Sequence, residues 1–155
     1  MPSYRVHLIG GLVTYLGILQ FIKDTNISGF VVAQGLLFCL LGALFPDIDV
    51  KSKGQKVFYS ILLGLLIWLL YQQMYCLFAI MSFLGIIPLL VRHRGIFHHI
   101  WFLFSIAVVM TCIVQSWCGS LAKIMMYNCW FFFAGTVSHV FLDRFVTGCK
   151  RYFNS

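Results

Sequence analysis

Long apolar segments alternate with short polar ones along the whole chain. The apolar segments lie at about residues 7–22, 30–45, 57–71, 76–91, 96–115 and 124–146. A helix that crosses a bilayer needs ~20 predominantly apolar residues, so we expect the short third segment to be tilted or to extend into the preceding loop. The pattern predicts an all-α, polytopic membrane helical bundle of about six transmembrane helices, with residues 1–155 forming a single integral membrane domain.

The composition excludes an ordinary soluble domain. The chain is 61% hydrophobic and 10% charged, whereas soluble domains are about 45–50% apolar. The six cysteines form no Cys-x-x-Cys pair and mostly lie inside apolar segments, so we interpret them as buried apolar residues rather than as a disulfide framework. The net charge of +7 would favour nucleic-acid binding only on a soluble face, and we expect no direct nucleic-acid partner.

The positive charges are distributed unevenly between the two sides that six spans would define. Nine of the eleven Lys and Arg residues fall on one side, and Lys23 and Lys123 fall on the other. The positive-inside rule places the more basic side in the cytoplasm, with both chain termini and the loops at 47–56 and 92–95. An odd number of spans would destroy this asymmetry, so the charges favour an even number.

Residues able to bind metals are concentrated in three short polar segments and at one histidine near the start of the chain. All five histidines and three of the four aspartates lie there, and the six-span topology brings them to the cytoplasmic face. The sequence therefore predicts a metal site at that face. The candidate ligands are His7, Asp47, Asp49, His93, His98, His139 and Asp143.

The spacing of the aspartates suits a shared site. His139 and Asp143 are four residues apart, so on a helix they face the same way. Asp47 and Asp49 follow a proline, in backbone that we expect to be non-helical, and both can turn to one site. This arrangement suits two ligands of one metal, or a ligand and the group that orients it.

The central histidine segment completes the predicted site. Gly95 allows His93 to lie in the loop and His98 in the first turn of the next helix, so that both converge. Mixed imidazole and carboxylate ligands suit Zn, Mn or Fe(II) better than Mg or Ca. Seven groups exceed the four ligands of one tetrahedral ion, so we expect one or two divalent ions, and a two-metal site about 3.5–4 Å across is suited to phosphoester hydrolysis. Arg94 is placed to bind an anionic oxygen of the substrate.

The same residue types also suit other roles. A single intramembrane histidine such as His7 is more often a hydrogen-bonding residue in helix packing than a metal ligand, and Asp49 alone suits a cap. A metal or proton transporter would use the same His and Asp cluster. Such a pathway would continue past the middle of the membrane, where the spans carry few polar residues, so the sequence favours a one-sided site.

These segments together resemble a known family, the bacterial inner-membrane metal-dependent hydrolases, which include a LexA-binding member. The family pattern is an early histidine, Pro-Asp-Ile-Asp, His-Arg-Gly-x-Thr-His-Ser, and Ser-His-x-x-x-Asp before a Leu-Thr-Pro-x-Gly-like tail. Order and spacing match over nearly the whole chain. The matching positions are His7, Pro46 to Asp49, His93 to His99, and Ser138 to Asp143.

The resemblance implies a multi-pass hydrolase of the bacterial inner membrane that uses a divalent metal. We expect its substrate to be an ester or phosphoester of a lipid or amphiphile that reaches the site from the bilayer. The alternative is a non-catalytic membrane scaffold that binds a regulator such as LexA and contains a structural metal.

The chain departs from the family pattern at three places. Phe97 and His99 replace the Thr and Ser of the pattern, and the tail at Val146-Thr147-Gly148 lacks the proline. The metal positions are retained, but the two hydroxyl groups are not. His99, or a carboxylate that does not bind metal such as Asp49, would serve as the general acid.

Overall fold

The computed structural model describes residues 3–22, 29–48, 52–90, 99–117, 119 and 122–153, with side chains except at 30, 76, 77, 87–90, 117 and 147–153. These residues form six α-helices and contain no strand, so the predicted all-α class is confirmed for the part of the chain described. The helices are α1 (Tyr4–Phe21), α2 (Gly29–Leu44), α3 (Lys53–Tyr71), α4 (Tyr75–Leu90), α5 (Ile100–Trp117) and α6 (Ala122–Phe153), with a 3₁₀ turn at Phe45–Asp47.

The helix boundaries differ from the predicted ones by four or more residues at three helices. Helix α3 begins at Lys53, so the short third segment does extend into the preceding loop. Helix α6 continues to Phe153, seven residues past the predicted end at 146, because the basic tail remains helical. Helix α5 begins at Ile100 rather than at 96, and His99 lies just before it, where its carbonyl accepts the N–H groups of Phe102 and Leu103.

One described helix, Lys53–Tyr71, is long and apolar enough by itself to cross a membrane. Two further stretches of the described helices, Val31–Asp47 and Ile100–Ser116, are apolar but shorter than 18 residues. A multi-pass, six-span arrangement therefore stays a prediction.

Helices α1, α2 and α6 pack closely because glycines lie where they cross. A Cβ atom on Gly135 of α6 would lie 2.9 Å from the Ala43 nitrogen of α2 and closer still to the Cys39 carbonyl oxygen. A Cβ on Gly11 of α1 would lie 2.8 Å from the Ala43 Cβ, and the Cys39 thiol donates to the Gly11 carbonyl at 3.3 Å. Small residues that bring helix backbones together are typical of packing in membranes. The stretch Cys39–Ala43 of α2 is thus held between α1 and α6.

The polar connection after α2 is defined by local chemistry. Pro46 lacks an N–H and ends the α-helix, and the chain continues as the 3₁₀ turn Phe45–Asp47. Ser52 caps α3, since its hydroxyl oxygen accepts the backbone N–H of Gln55 at 3.1 Å. Asp47 lies in this turn, at the same end of the bundle as the start of α1.

Candidate metal centre

Three separate parts of the chain bring two histidines and two aspartates together. His7 lies in the first turns of α1, Asp47 in the 3₁₀ turn, and His139 and Asp143 one turn apart on α6. The Nε2 atom of His139 lies 3.5 Å from an oxygen of Asp47 and 3.4 Å from one of Asp143. The Nε2 atom of His7 lies 4.0 Å from Asp47 and 3.6 Å from Asp143. Each carboxylate therefore faces both imidazoles.

The two imidazole rings are stacked, which aligns their ligand atoms. The rings of His7 and His139 have centroids 3.8 Å apart and planes only 16° from parallel. Both rings direct Nε2 toward the carboxylates. The parallel arrangement depends on the close approach of α1 and α6 to α2, because each histidine lies one turn from a glycine at the crossing, Gly11 or Gly135.

The orientation of His139 is fixed by the backbone of α2. Its Nδ1 atom lies 2.8 Å from the Ala43 carbonyl oxygen. A carbonyl oxygen can only accept, so Nδ1 carries the hydrogen and donates it. This hydrogen bond leaves Nε2 as the nitrogen that could bind a metal, and it is the orienting contact that metal-bound histidines usually make.

The separations suit a single divalent ion. His7, Asp47 and His139 each offer a ligand atom, and these atoms all lie within 4.8 Å of one another. A tetrahedral ion with bonds of ~2.1 Å separates its ligand atoms by ~3.4 Å, and the four N–O distances are 3.4 to 4.0 Å. His7, Asp47 and His139 therefore fit a metal ion, and Asp143 lies beside both imidazoles at 3.6 and 3.4 Å.

The histidines of the site are buried, whereas its aspartates are partly exposed. His7 and His139 are 1% and 0% exposed, whereas Asp47 and Asp143 remain 26% and 14% exposed. The imidazoles therefore form the floor of the site and the carboxylates form its edge. Access from outside the bundle is past the two carboxylates.

The turn that carries Asp47 is supported from both sides. Ile48 is fully buried, and its carbonyl oxygen accepts the side-chain N–H of Gln55 at 2.8 Å. The expectation of non-helical backbone here is wrong for Asp47, which ends a 3₁₀ turn because Pro46 stops the α-helix without straightening the chain. The consequence is favourable, since the tight turn keeps Asp47 next to α6.

The structure brings together four of the seven predicted ligands. Asp49, His93 and His98 lie outside the described residues, as does Arg94, the predicted anion-binding residue. His99 is described and exposed, just before α5, and is not part of the ligand group that the described residues form. The described residues do not test the second ion or the role of His99 as general acid, so both stay predictions.

Two supporting contacts were not predicted from the sequence. The hydrogen bond from His139 to the Ala43 carbonyl could not be predicted from the sequence, because it involves a backbone group. The position of Gln55 could have been predicted, because Ser52 and Gln55 have the Ser-x-x-Gln spacing of a capping box, which marks the start of a helix. Further along the bundle, buried Asn128 donates to the partly buried Gln34 at 3.4 Å and joins α6 to α2 away from the site.

Comparison of the sequence with known protein families identifies one match. Residues 1–152 match the family described as YdjM inner membrane protein. No curated protein and no solved structure matches the chain.

Proposed function

Because this chain belongs to the YdjM inner membrane protein family, we propose that it is a membrane-embedded, divalent-metal-dependent hydrolase. Its substrate would be an ester or phosphoester of a lipid or amphiphile. The observation that carries the proposal is the ligand group of His7, Asp47 and His139. Multi-pass topology, with six spans and both termini in the cytoplasm, is part of the same proposal and rests on the positive-inside rule.

The ion would be held by the two Nε2 atoms and by Asp47. Imidazole nitrogens with carboxylate oxygens favour Zn, Mn or Fe(II). When bound, such an ion supplies Lewis acidity and makes water a nucleophile near neutral pH. Asp143 faces both Nε2 atoms at 3.6 and 3.4 Å, so it would serve either as a further ligand or as the proton acceptor beside the ion.

The surrounding residues would orient these groups and keep water out. The hydrogen bond from His139 Nδ1 to Ala43 holds one ring, and the stacked ring of His7 packs against it. The exposed edge at Asp47 and Asp143 is where a substrate would enter. An entrance at one end of the helices suits a substrate whose reactive group lies at the membrane surface and whose apolar part lies in the bilayer.

The remaining predicted residues complete the proposed site. Asp49, His93 and His98 would supply ligands for a second ion, and Arg94 would bind the anionic oxygen of a phosphoester. His99 or Asp49 would provide the proton for the leaving group.

Elemental analysis of the purified protein tests the metal site. We expect one or two equivalents of Zn, Mn or Fe in the wild type and loss of the metal in His139→Ala/Asp143→Ala. The control is Ser105→Ala/Ser116→Ala, which removes two exposed hydroxyls that donate within α5. Absence of metal after reconstitution, in protein that remains folded, would refute the proposal.

Turnover separates a hydrolase from a scaffold or a transporter. We expect metal-dependent release of product from phospholipid or soluble phosphoester substrates, and loss of turnover in Asp49→Ala. Tight metal binding without turnover on any substrate, together with regulator binding that persists in Asp49→Ala, would favour a scaffold. Metal flux into proteoliposomes would favour a transporter.

A further inference from the structure

An open, mostly apolar groove runs along the outside of the bundle between α1 and α6. It encloses about 860 Å³, which is in the range of pockets for organic ligands, about 300–1,000 Å³. Its walls include Ile9, Val13 and Ile18 of α1 and Trp130, Val137 and Phe141 of α6. Several of these side chains are strongly exposed, Val13 by 62% and Phe141 by 67%.

The groove is more than long enough for one acyl chain of a membrane lipid. Its α1 wall extends from Val6 to Ile22, which is roughly 24 Å at ~1.5 Å per helical residue. The hydrocarbon core of a bilayer is ~30 Å thick, so one leaflet contributes about half of that. A single acyl chain therefore fits in the groove, and in an inner membrane protein an apolar surface of this kind faces acyl chains.

One end of the groove lies close to the candidate metal centre. Val6, which lines the groove, precedes His7, and Leu142, which also lines it, precedes Asp143. The Leu142 side chain lies against Gly10, so α1 and α6 are in contact at this end of the groove. The partly exposed carboxylate edge lies at this same end.

Positive charge is present at that end of the groove. Arg5 is exposed and directly precedes Val6, and Arg144 is exposed one turn beyond Phe141. Each Arg near a membrane surface attracts an anionic headgroup with about 1 kcal/mol. The groove thus has an apolar length and a cationic end, which is the distribution that complements an anionic lipid.

We propose that the groove between α1 and α6 binds the acyl chain of an anionic lipid and places its headgroup at Arg5 and Arg144, beside the metal centre. This proposal names an anionic lipid as the substrate of the proposed hydrolase, and to that extent it rests on the proposed function. Binding of the acyl chain in the groove does not depend on the proposed function.

Fluorescence of Trp130 measures occupancy of the groove. Trp130 lies nine residues before His139, ~14 Å along α6, so a lipid brominated at mid-chain would quench it. The protein would carry Trp68→Phe, Trp101→Phe and Trp117→Phe and be reconstituted in phosphatidylcholine vesicles with increasing fractions of brominated phosphatidylglycerol. We expect quenching to saturate at low fractions of this lipid, and brominated phosphatidylcholine to quench far less.

Two pairs of variants test the groove and its matched control. Ile9→Phe/Val13→Phe fills the groove, while Leu63→Phe/Ile67→Phe makes the same change on an exposed face of α3. The two pairs have the same spacing and nearly equal exposure, 61% and 62% against 59% and 60%. We expect saturable quenching to be lost in the first pair and retained in the second.

Two further variants test the cationic end of the groove. Arg5→Gln and Arg144→Gln should each raise the half-saturating lipid fraction about fivefold. Quenching that rises in proportion to the lipid fraction, equally in both Phe pairs, would overturn the proposal and show ordinary bilayer contact. A change of oligomeric state confined to Ile9→Phe/Val13→Phe would overturn it in favour of a second copy of the chain.

Metal binding and turnover distinguish the two proposals. Saturable quenching by a protein that binds no metal would refute the proposed hydrolase but leave the lipid groove. Metal-dependent turnover of a soluble phosphoester, without saturable quenching, would refute the groove and leave the hydrolase.

Discussion

Replacing Gly135 by Ala tests whether the close contact between α2 and α6 positions the residues of the candidate metal centre. The added Cβ would lie 2.9 Å from the Ala43 nitrogen and closer to the Cys39 carbonyl oxygen, and real Cβ contacts essentially never fall under 3.0 Å. The obstructing atoms are backbone and cannot rotate away, so α2 and α6 must separate by roughly 1 Å. The carbonyl of Ala43 moves with them, although it orients His139 at 2.8 Å.

The expected loss in the free energy of unfolding of Gly135→Ala is the sum of three contributions. Overpacking costs about 1–3 kcal/mol, the weakened hydrogen bond about 1 kcal/mol, and the better helix propensity of Ala returns about 1 kcal/mol. A net loss of about 2 kcal/mol lowers the Tm by ~4–8 °C for a chain of this size. Because His139 and Asp47 are also displaced, we expect zinc affinity to fall by ~10–100-fold, as for loss of an orienting contact.

The assay is thermal unfolding in detergent, with and without zinc, together with equilibrium zinc binding. Gly64→Ala is the matched control, since a Cβ there meets nothing within 4 Å, and it should bind zinc normally with unchanged or slightly higher Tm. Normal zinc affinity in Gly135→Ala, with a Tm equal to that of the control, would refute the idea that this helix crossing positions the site.

Three further predictions concern the support of the site, its metal and the topology. Gln55→Leu removes the hydrogen bond to the Ile48 carbonyl and should weaken zinc binding by about tenfold through displacement of the turn, measured by equilibrium titration; an unchanged affinity would contradict it. Zinc at a hundred times its Kd should raise the free energy of unfolding by ~2.7 kcal/mol, an increase that His139→Ala should abolish in the same unfolding assay. In a cysteine-free background, a membrane-impermeant maleimide should label Gln73→Cys but not Ser3→Cys in intact cells; labelling of Ser3→Cys would contradict cytoplasmic termini.

The helices could be predicted from the sequence because apolar segments and helix-ending residues coincide. Pro46 ended the second segment as expected, and the polar pair Gln72-Gln73 marked the hairpin between α3 and α4. Helix ends that depend on capping were predicted less well. Helix α6 passes the apolar boundary to Phe153, because Lys and Arg are good helix formers and give no apolar signal in the sequence.

The candidate metal site was partly predictable because its residue types are rare in so apolar a chain. His139 and Asp143 face the same way by helical spacing alone, and the structure adds His7 and Asp47 to them. The spacing could not predict how close the helices approach, because that depends on contacts between glycines and backbone atoms in distant parts of the sequence. It also could not predict the orienting carbonyl, since every residue has one.

The contacts of α2 explain how three distant segments form one compact site. Its stretch Cys39–Ala43 packs against Gly11 on one side and Gly135 on the other. Each glycine lies four residues, or about one helical turn, from a histidine. The small interhelical spacing therefore allows His7 and His139 to stack at 3.8 Å over the end of α2, where the turn after Pro46 presents Asp47. A larger side chain at either glycine would separate the rings from each other and from the carboxylates, so we infer that helix packing and metal-ligand geometry depend on the same two positions.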